Sequence, residues 1–267
     1  MKKLIIRLSQ NPLFRHCERP TGAWQSLFFW DCFVATLLAM TVYFAFSLPA
    51  WGAKNDIDLK NFNSVSGNID TAFERLSREL GLCLSFFPLS PAKPLGVVGF
   101  DAGIEATLFP VKSSSLYWKY ALKGQDVPDF IPIPRVHIIK GLPLGIDIGA
   151  IYSFVPESNI QLIGGELRWA LLEGKLIYPA LGLRGSYTTL LGVSHLDLQT
   201  EGVDISISKG FFGILTPYAG LGMLAIQTKA NLPPDVDFTL KSQSLIEPRG
   251  FVGLALSPFP FFRITLE

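Results

Sequence analysis

The sequence predicts an all-β chain: an antiparallel transmembrane β-barrel of about ten strands, with or without its last strand, and a short N-terminal amphipathic helix. Three observations point there. Segment after segment beyond residue 95 alternates apolar with polar side chains, as strands with two unlike faces do. The composition is 49% hydrophobic and only 17% charged, with Gly 24 and Phe 21, a pairing that suits many strands joined by tight turns. A basic and then apolar stretch at the start has the form of an export signal.

The alternation is clearest from Phe100 to Thr107. Phe100, Ala102, Ile104 and Ala106 take one face; Asp101, Gly103, Glu105 and Thr107 take the other. A soluble sandwich would bury the oily face in a packed core, whereas a transmembrane barrel turns it outward and keeps the polar face inside. One strand fits either arrangement, so the rest of the chain has to separate them.

The 267 residues suffice for one large domain, and the low charge excludes a disordered chain. A net charge of +1 with no long basic run gives nucleic acid no footprint. Cys17, Cys32 and Cys83 form neither a disulfide framework nor a metal spacing, and no cofactor is expected.

Residues 1–53 read as a signal peptide. Lys2, Lys3, Arg7, Arg15 and Arg19 precede an uncharged run from Cys32 to Ala53, with small residues at Ala50, Gly52 and Ala53. An uncleaved membrane helix is the other reading, since about 20 apolar residues can span a bilayer.

Residues 54–94 form a mature N-terminal segment with a helix over 69–83. There Ile69, Ala72, Phe73, Leu76, Leu80 and Cys83 recur at three- and four-residue steps, while Glu74, Arg75, Arg78 and Glu79 take the polar side. Too short to cross a membrane, the helix either plugs a barrel or caps its rim. Pro88, Pro91 and Pro94 make the chain stiff ahead of the first strand.

The barrel is expected over 95–267. After the first strand, a second is read around 112–123, followed by a loop with Gln125, Asp126 and Asp129. A hairpin over 131–154 turns at Gly141, Leu142 and Pro143. Further strands are read at 159–172, 180–191, 195–209, 214–228, 244–256 and 261–266.

Asp101, Glu105, Asp147, Glu166, Arg168, Arg184 and Asp204 are the candidate inward-facing residues, with both signs able to pair across strands. They would equally suit the wet face of an ordinary sheet. The opposite faces, however, carry glycines and aromatics rather than dense Leu, Val and Ile. Tyr152, Trp169, Tyr178, Tyr187, Tyr218, Phe259, Phe261 and Phe262 near strand ends fit interfacial girdles. A barrel in lipid must satisfy its edge groups, so a final turn and strand past Glu267, or some cover for the edges, is expected.

Chemistry is sparse, and no catalytic residue is assigned. The histidines are His16, His137 and His195, without metal spacing, nucleophile elbow or phosphate loop. Ser194 and His195 would face opposite sides of a strand, so a lipid hydrolase would need another serine such as Ser186. His137 is a structural residue or an interior group titrating near neutrality.

The stretches PLGVVGFDAG (94–103), KGLPLGIDIG (140–149) and TPYAGLG (216–222) resemble an uncharacterised family of proteobacterial outer-membrane β-barrel proteins, over roughly 70–267. The resemblance implies a bacterial outer-membrane barrel and carries no reaction or ligand; similar proteins continue beyond the equivalent of Glu267. Outer-membrane lipid, lipopolysaccharide and the barrel assembly machinery are then the expected partners. Passage of small or hydrophobic solutes is the first expected function. A structural or surface-interaction barrel and a lipid-modifying enzyme are the alternatives.

Overall fold

The structure is a computed structural model that describes residues 3–10 (backbone only), 57–60, 62, 68–87, 90–112, 114–122, 129–156, 158–175, 178–234, 236–259 and 262–267. The rest of the expected leader, including His16, Cys17 and Cys32, lies outside the described residues, as do Pro88, Gln125, Asp126 and Phe261.

The first helix, α1 (Ile69–Leu84), starts where Asn68 Oδ1 accepts from the backbone N–H groups of Asp70 at 3.0 Å and Thr71 at 3.4 Å. Asp70 in the first turn complements the helix dipole. Its apolar face buries Ala72, Phe73, Leu76, Leu80, Cys83 and Leu84.

Nine strands follow: β2 (Phe100–Pro110), β3 (Phe130–Gly141), β4 (Ile146–Phe154), β5 (Gln161–Glu173), β6 (Ala180–Leu191), β7 (Leu196–Ser208), β8 (Leu215–Ala230), β9 (Gln243–Phe259) and β10 (Phe262–Leu266). Each pairs antiparallel with the next, in one curled, barrel-like sheet. A further strand, β1 (Lys3–Gln10), pairs antiparallel with both end strands, Ile6 lying opposite Ile104 of β2 and Ile264 of β10. It falls within the stretch read from sequence as a leader.

One end of the wall has the short connections, including the β3–β4 turn through Leu144 (φ 65°) and Gly145 (φ 71°). The other end has the two long ones, 111–129 and 231–242. The second strand expected around 112–123 is instead a helix, α2 (Leu116–Ala121). In a strand, Tyr117 and Trp118 would point to opposite faces. The helix lets both donate to Glu79 of α1, Tyr117 Oη at 2.7 Å and Trp118 Nε1 at 2.5 Å.

A two-layer sandwich is excluded by exposure. Ile104, Ile148 and Leu167, which would be the buried face of such a fold, are 39%, 45% and 54% exposed on the outside of the wall. The apolar core lies within the curl at the long-loop end. There α1 and α2 meet inward residues such as Phe109, Ile133, Ile151, Leu162, Leu190 and Leu198. Tyr218, expected in an outer girdle, is 3% exposed and points inward beside Phe251, its hydroxyl donating to Glu267 Oε2 at 3.1 Å.

Candidate functional site

The inward positions change character along the strands. Toward the short-turn end the apolar residues give way to a charged layer: Asp101 and Glu105 on β2, Arg135 and His137 on β3, Asp147 on β4, Glu166 and Arg168 on β5. Arg184 on β6, Asp204 on β7, Arg249 on β9 and Arg263 on β10 complete it.

Register explains how these meet. Asp147 lies opposite Arg168, Arg168 opposite Arg184, Arg184 opposite Asp204, Asp204 opposite Gly222, and Gly222 opposite Arg249. Residues directly opposite on a sheet share a face, so one row across β4 to β9 collects these charges, with the two neighbouring guanidiniums of Arg168 and Arg184 both reaching Glu166.

Arg184 Nε lies 2.5 Å from Glu166 Oε2, and its Nη1 lies 2.8 Å from Asp204 Oδ2. Arg249 grips the same Asp204 with both nitrogens of its fork, Nε donating to Oδ1 at 2.6 Å and Nη2 to Oδ2. Arg168 reaches Asp147 at 3.4 Å and Glu166 at 3.5 Å. On the far side His137 Nδ1 stands 2.7 Å from Glu105 Oε1, with Nε2 3.6 Å from Asp101 Oδ1. Five guanidiniums (Arg135, Arg168, Arg184, Arg249, Arg263) thus face five carboxylates (Asp101, Glu105, Asp147, Glu166, Asp204). Breaking one buried pair of this kind costs about 3–5 kcal/mol, because the remaining charge is stranded.

The layer also grips the chain that runs through it. Below α1 the Phe86 carbonyl accepts from Arg184 Nη1 and Nη2, each at 3.3 Å, and from Arg249 Nη1 at 3.2 Å. Arg184 lies over the Phe86 ring at 4.5 Å and Arg135 over Phe87 at 5.0 Å, both in cation–π range. Arg135 Nη2 donates to the Cys83 carbonyl at 2.9 Å. Further along, the Ala92 amide donates to Ser208 Oγ at 3.0 Å and the Leu95 amide to Asp147 Oδ1 at 3.1 Å. On α1 itself, Arg78 Nε donates to Glu247 Oε1 of β9 at 2.6 Å. Residues 78–87 and 90–95 are thus tied to the wall at successive heights, with α1 inside the curl rather than on its rim.

Of the sequence candidates, Asp101, Glu105, Asp147, Glu166, Arg184 and Asp204 are buried, and the Arg168 side chain is 13% exposed. The row gathers Asp147, Arg168, Arg184 and Asp204, and Glu166 joins them from opposite Gly149 through its contacts with Arg168 and Arg184; Asp101 and Glu105 sit with His137 instead. Sequence reasoning missed Arg249 and the role of the Phe86 carbonyl. Arg249 could have been found, since Glu247, Arg249 and Phe251 keep a two-residue step across Pro248.

His195 Nδ1 lies 3.2 Å from the Asn231 carbonyl at the long-loop end. Ser186 is opposite Gly202, six residues along β7 from Leu196, or about 20 Å at ~3.4 Å per residue. The structure does not bring that serine and histidine together. A cavity of about 490 Å³ remains at the short-turn end, lined by Pro91, Lys93, Leu95, Thr216, Ser257 and Arg263 among others. No family model, curated protein or solved structure matches the chain.

Proposed function

We propose that this chain is a bacterial outer-membrane β-barrel of ten strands whose interior is filled by its own N-terminal segment, and that it serves as a structural or surface-interaction barrel rather than an open pore. The observation that carries the reading is the grip of Arg184 and Arg249 on the Phe86 carbonyl, which holds the chain below α1 across the path a solute would take. A barrel of this strand number already has an interior that side chains nearly fill. The membrane setting is supported by the outward face, where Ile138, Ile148, Ile163, Leu167, Val203 and Val252 are exposed while charges gather inside. Lipid and lipopolysaccharide then surround the wall, and the barrel assembly machinery inserts it.

Planar-bilayer recording tests the filled interior. The full chain should give no conductance steps, and Arg184→Ala/Arg249→Ala, which releases Phe86, should give them. Open-channel steps from the unaltered protein would exclude the reading. Identical gel migration before and after heating would exclude the barrel itself.

The second reading, passage of small or hydrophobic solutes, is favoured by the 490 Å³ cavity at the short-turn end. It requires the chain below α1 to move, and liposome uptake by the unaltered protein would favour it over the first.

A further inference from the structure

The outer wall between β6 and β9 is not evenly covered. Ala219 lies opposite Val252 and Gly250 opposite Leu221, so small residues alternate with large ones on neighbouring outward positions. The result is a depression of about 590 Å³ lined by Leu181, Ile205, Ile207, Ala219, Leu221 and Val252. Its volume lies within the roughly 300–1,000 Å³ of small-molecule clefts.

Two lysines, Lys175 and Lys209, meet at the β5–β6 turn, on the side of the groove toward which Ile205 and Ile207 run. Just past the end of β7 at Ser208, the two-residue step of Ile205 and Ile207 leads about 7 Å beyond Ile207 to Lys209, whose amide still donates to the Pro217 carbonyl of β8 at 3.1 Å. Lys209 Nζ donates to the Lys175 carbonyl at 3.2 Å, which holds its ammonium against the β5–β6 turn. Lys175 is itself exposed in that turn, and its amide donates to the carbonyl of the exposed Tyr178 at 3.0 Å. Glu173, the last residue of β5, reaches toward Gly145 of the β3–β4 turn. Hydrocarbon along the wall, two ammonium groups and a phenol at its end match an amphiphile with an anionic head.

We propose that this face binds an anionic phospholipid, one acyl chain lying in the groove and the headgroup phosphate between Lys175 and Lys209. The proposal rests on the membrane reading above. A lysine beside an anionic headgroup favours association by about fivefold, so two of them should select an anionic over a zwitterionic lipid several-fold.

Trp169 reports on the site, since it is exposed on the outer face and lies opposite Leu183, the next outward residue after Leu181 on β6. Trp118 is buried against Glu79. The full chain, with Trp24, Trp30 and Trp51 replaced by Phe, is reconstituted in phosphatidylcholine doped with chain-brominated phosphatidylglycerol or, separately, chain-brominated phosphatidylcholine. At equal mole fraction the anionic lipid should quench Trp169 several-fold more strongly. Lys175→Ala/Lys209→Ala should equalise the two lipids while leaving the heat-dependent gel shift unchanged, and Ala219→Leu, which fills the groove, should weaken quenching by the anionic lipid. Equal quenching by both lipids in the unaltered protein would overturn the lipid site alone. Absence of quenching by either would instead overturn the membrane reading on which it rests.

Discussion

Gly222 stands between Asp204 and Arg249 in the row that crosses β7, β8 and β9. A Cβ at this position would overlap Asp204 Oδ1 and the Val203 carbonyl oxygen, so the missing side chain is what lets the guanidinium reach the carboxylate across an intervening strand. Gly222→Ala should therefore destabilise the fold by about 1–3 kcal/mol through overpacking, read as a lower urea midpoint in detergent. Gly185→Ala is the comparison. Nothing lies within 4 Å of a Cβ there, and the midpoint should move by no more than about 0.5 kcal/mol. Equal midpoints for the two variants would refute the arrangement across Gly222. The charged residues were readable at this scale because a carboxylate or guanidinium at every second position of an otherwise oily strand marks the inward face. Arg249 escaped although the strand read over 244–256 contains it and its two-residue step with Glu247 and Phe251 runs on across Pro248.

Among the elements, α1 shows what periodicity can and cannot fix. Its span was legible to a residue from the three- and four-residue steps, because an amphipathic helix advertises its apolar face. Its position was not. That face looks the same whether it meets a rim or an interior, and the inward residues it meets, Leu224 and Ile226, flank Ala225, so β8 shows no polar side at this height. α2 was misread for a related reason. Leu116, Trp118 and Tyr120 alternate with Tyr117, Lys119 and Ala121 as a strand would, and only the shared acceptor Glu79 on another element decides for a helix. The placement of α1 rests on a close approach, since a Cβ on Gly81 would overlap the Ile226 side chain on β8. Gly81→Ala should lower the urea midpoint by about 1–3 kcal/mol, and Ile226→Val should recover part of that loss in the double variant. Residues in contact show such coupling of about 0.5–3 kcal/mol. Strict additivity would place α1 away from β8.

For the whole molecule, strand parity sets the remaining requirement. Nine strands that alternate direction leave β2 and β10 running the same way, so these two edges cannot close on each other with antiparallel bonds. In lipid, an open edge would leave a column of backbone groups unpaired, each costing several kcal/mol. β1 runs opposite to both, matching residues 3–10 to β2 and 4–8 to β10, so closure through it would keep every seam antiparallel. The apolar residues Leu4, Ile6 and Leu8 occupy the register positions of Ala106, Ile104 and Ala102, which belong to the outward face. Removal of residues 1–53 during export would take this strand away, so the leader and the tenth strand cannot both be right for one mature chain. A disulfide separates them. Residues directly opposite in an antiparallel pair have Cα atoms about 4.5–5.5 Å apart, inside the ~4.4–6.8 Å that a disulfide spans. In a full chain with Cys17, Cys32 and Cys83 replaced by Ala and refolded in detergent, Ile6→Cys/Ile104→Cys should cross-link on oxidation, giving a folded band whose mobility changes on reduction. Leu8→Cys/Ile104→Cys, two residues out of register, should not. A folded, heat-modifiable protein in which the first pair stays reduced would remove β1 from the wall.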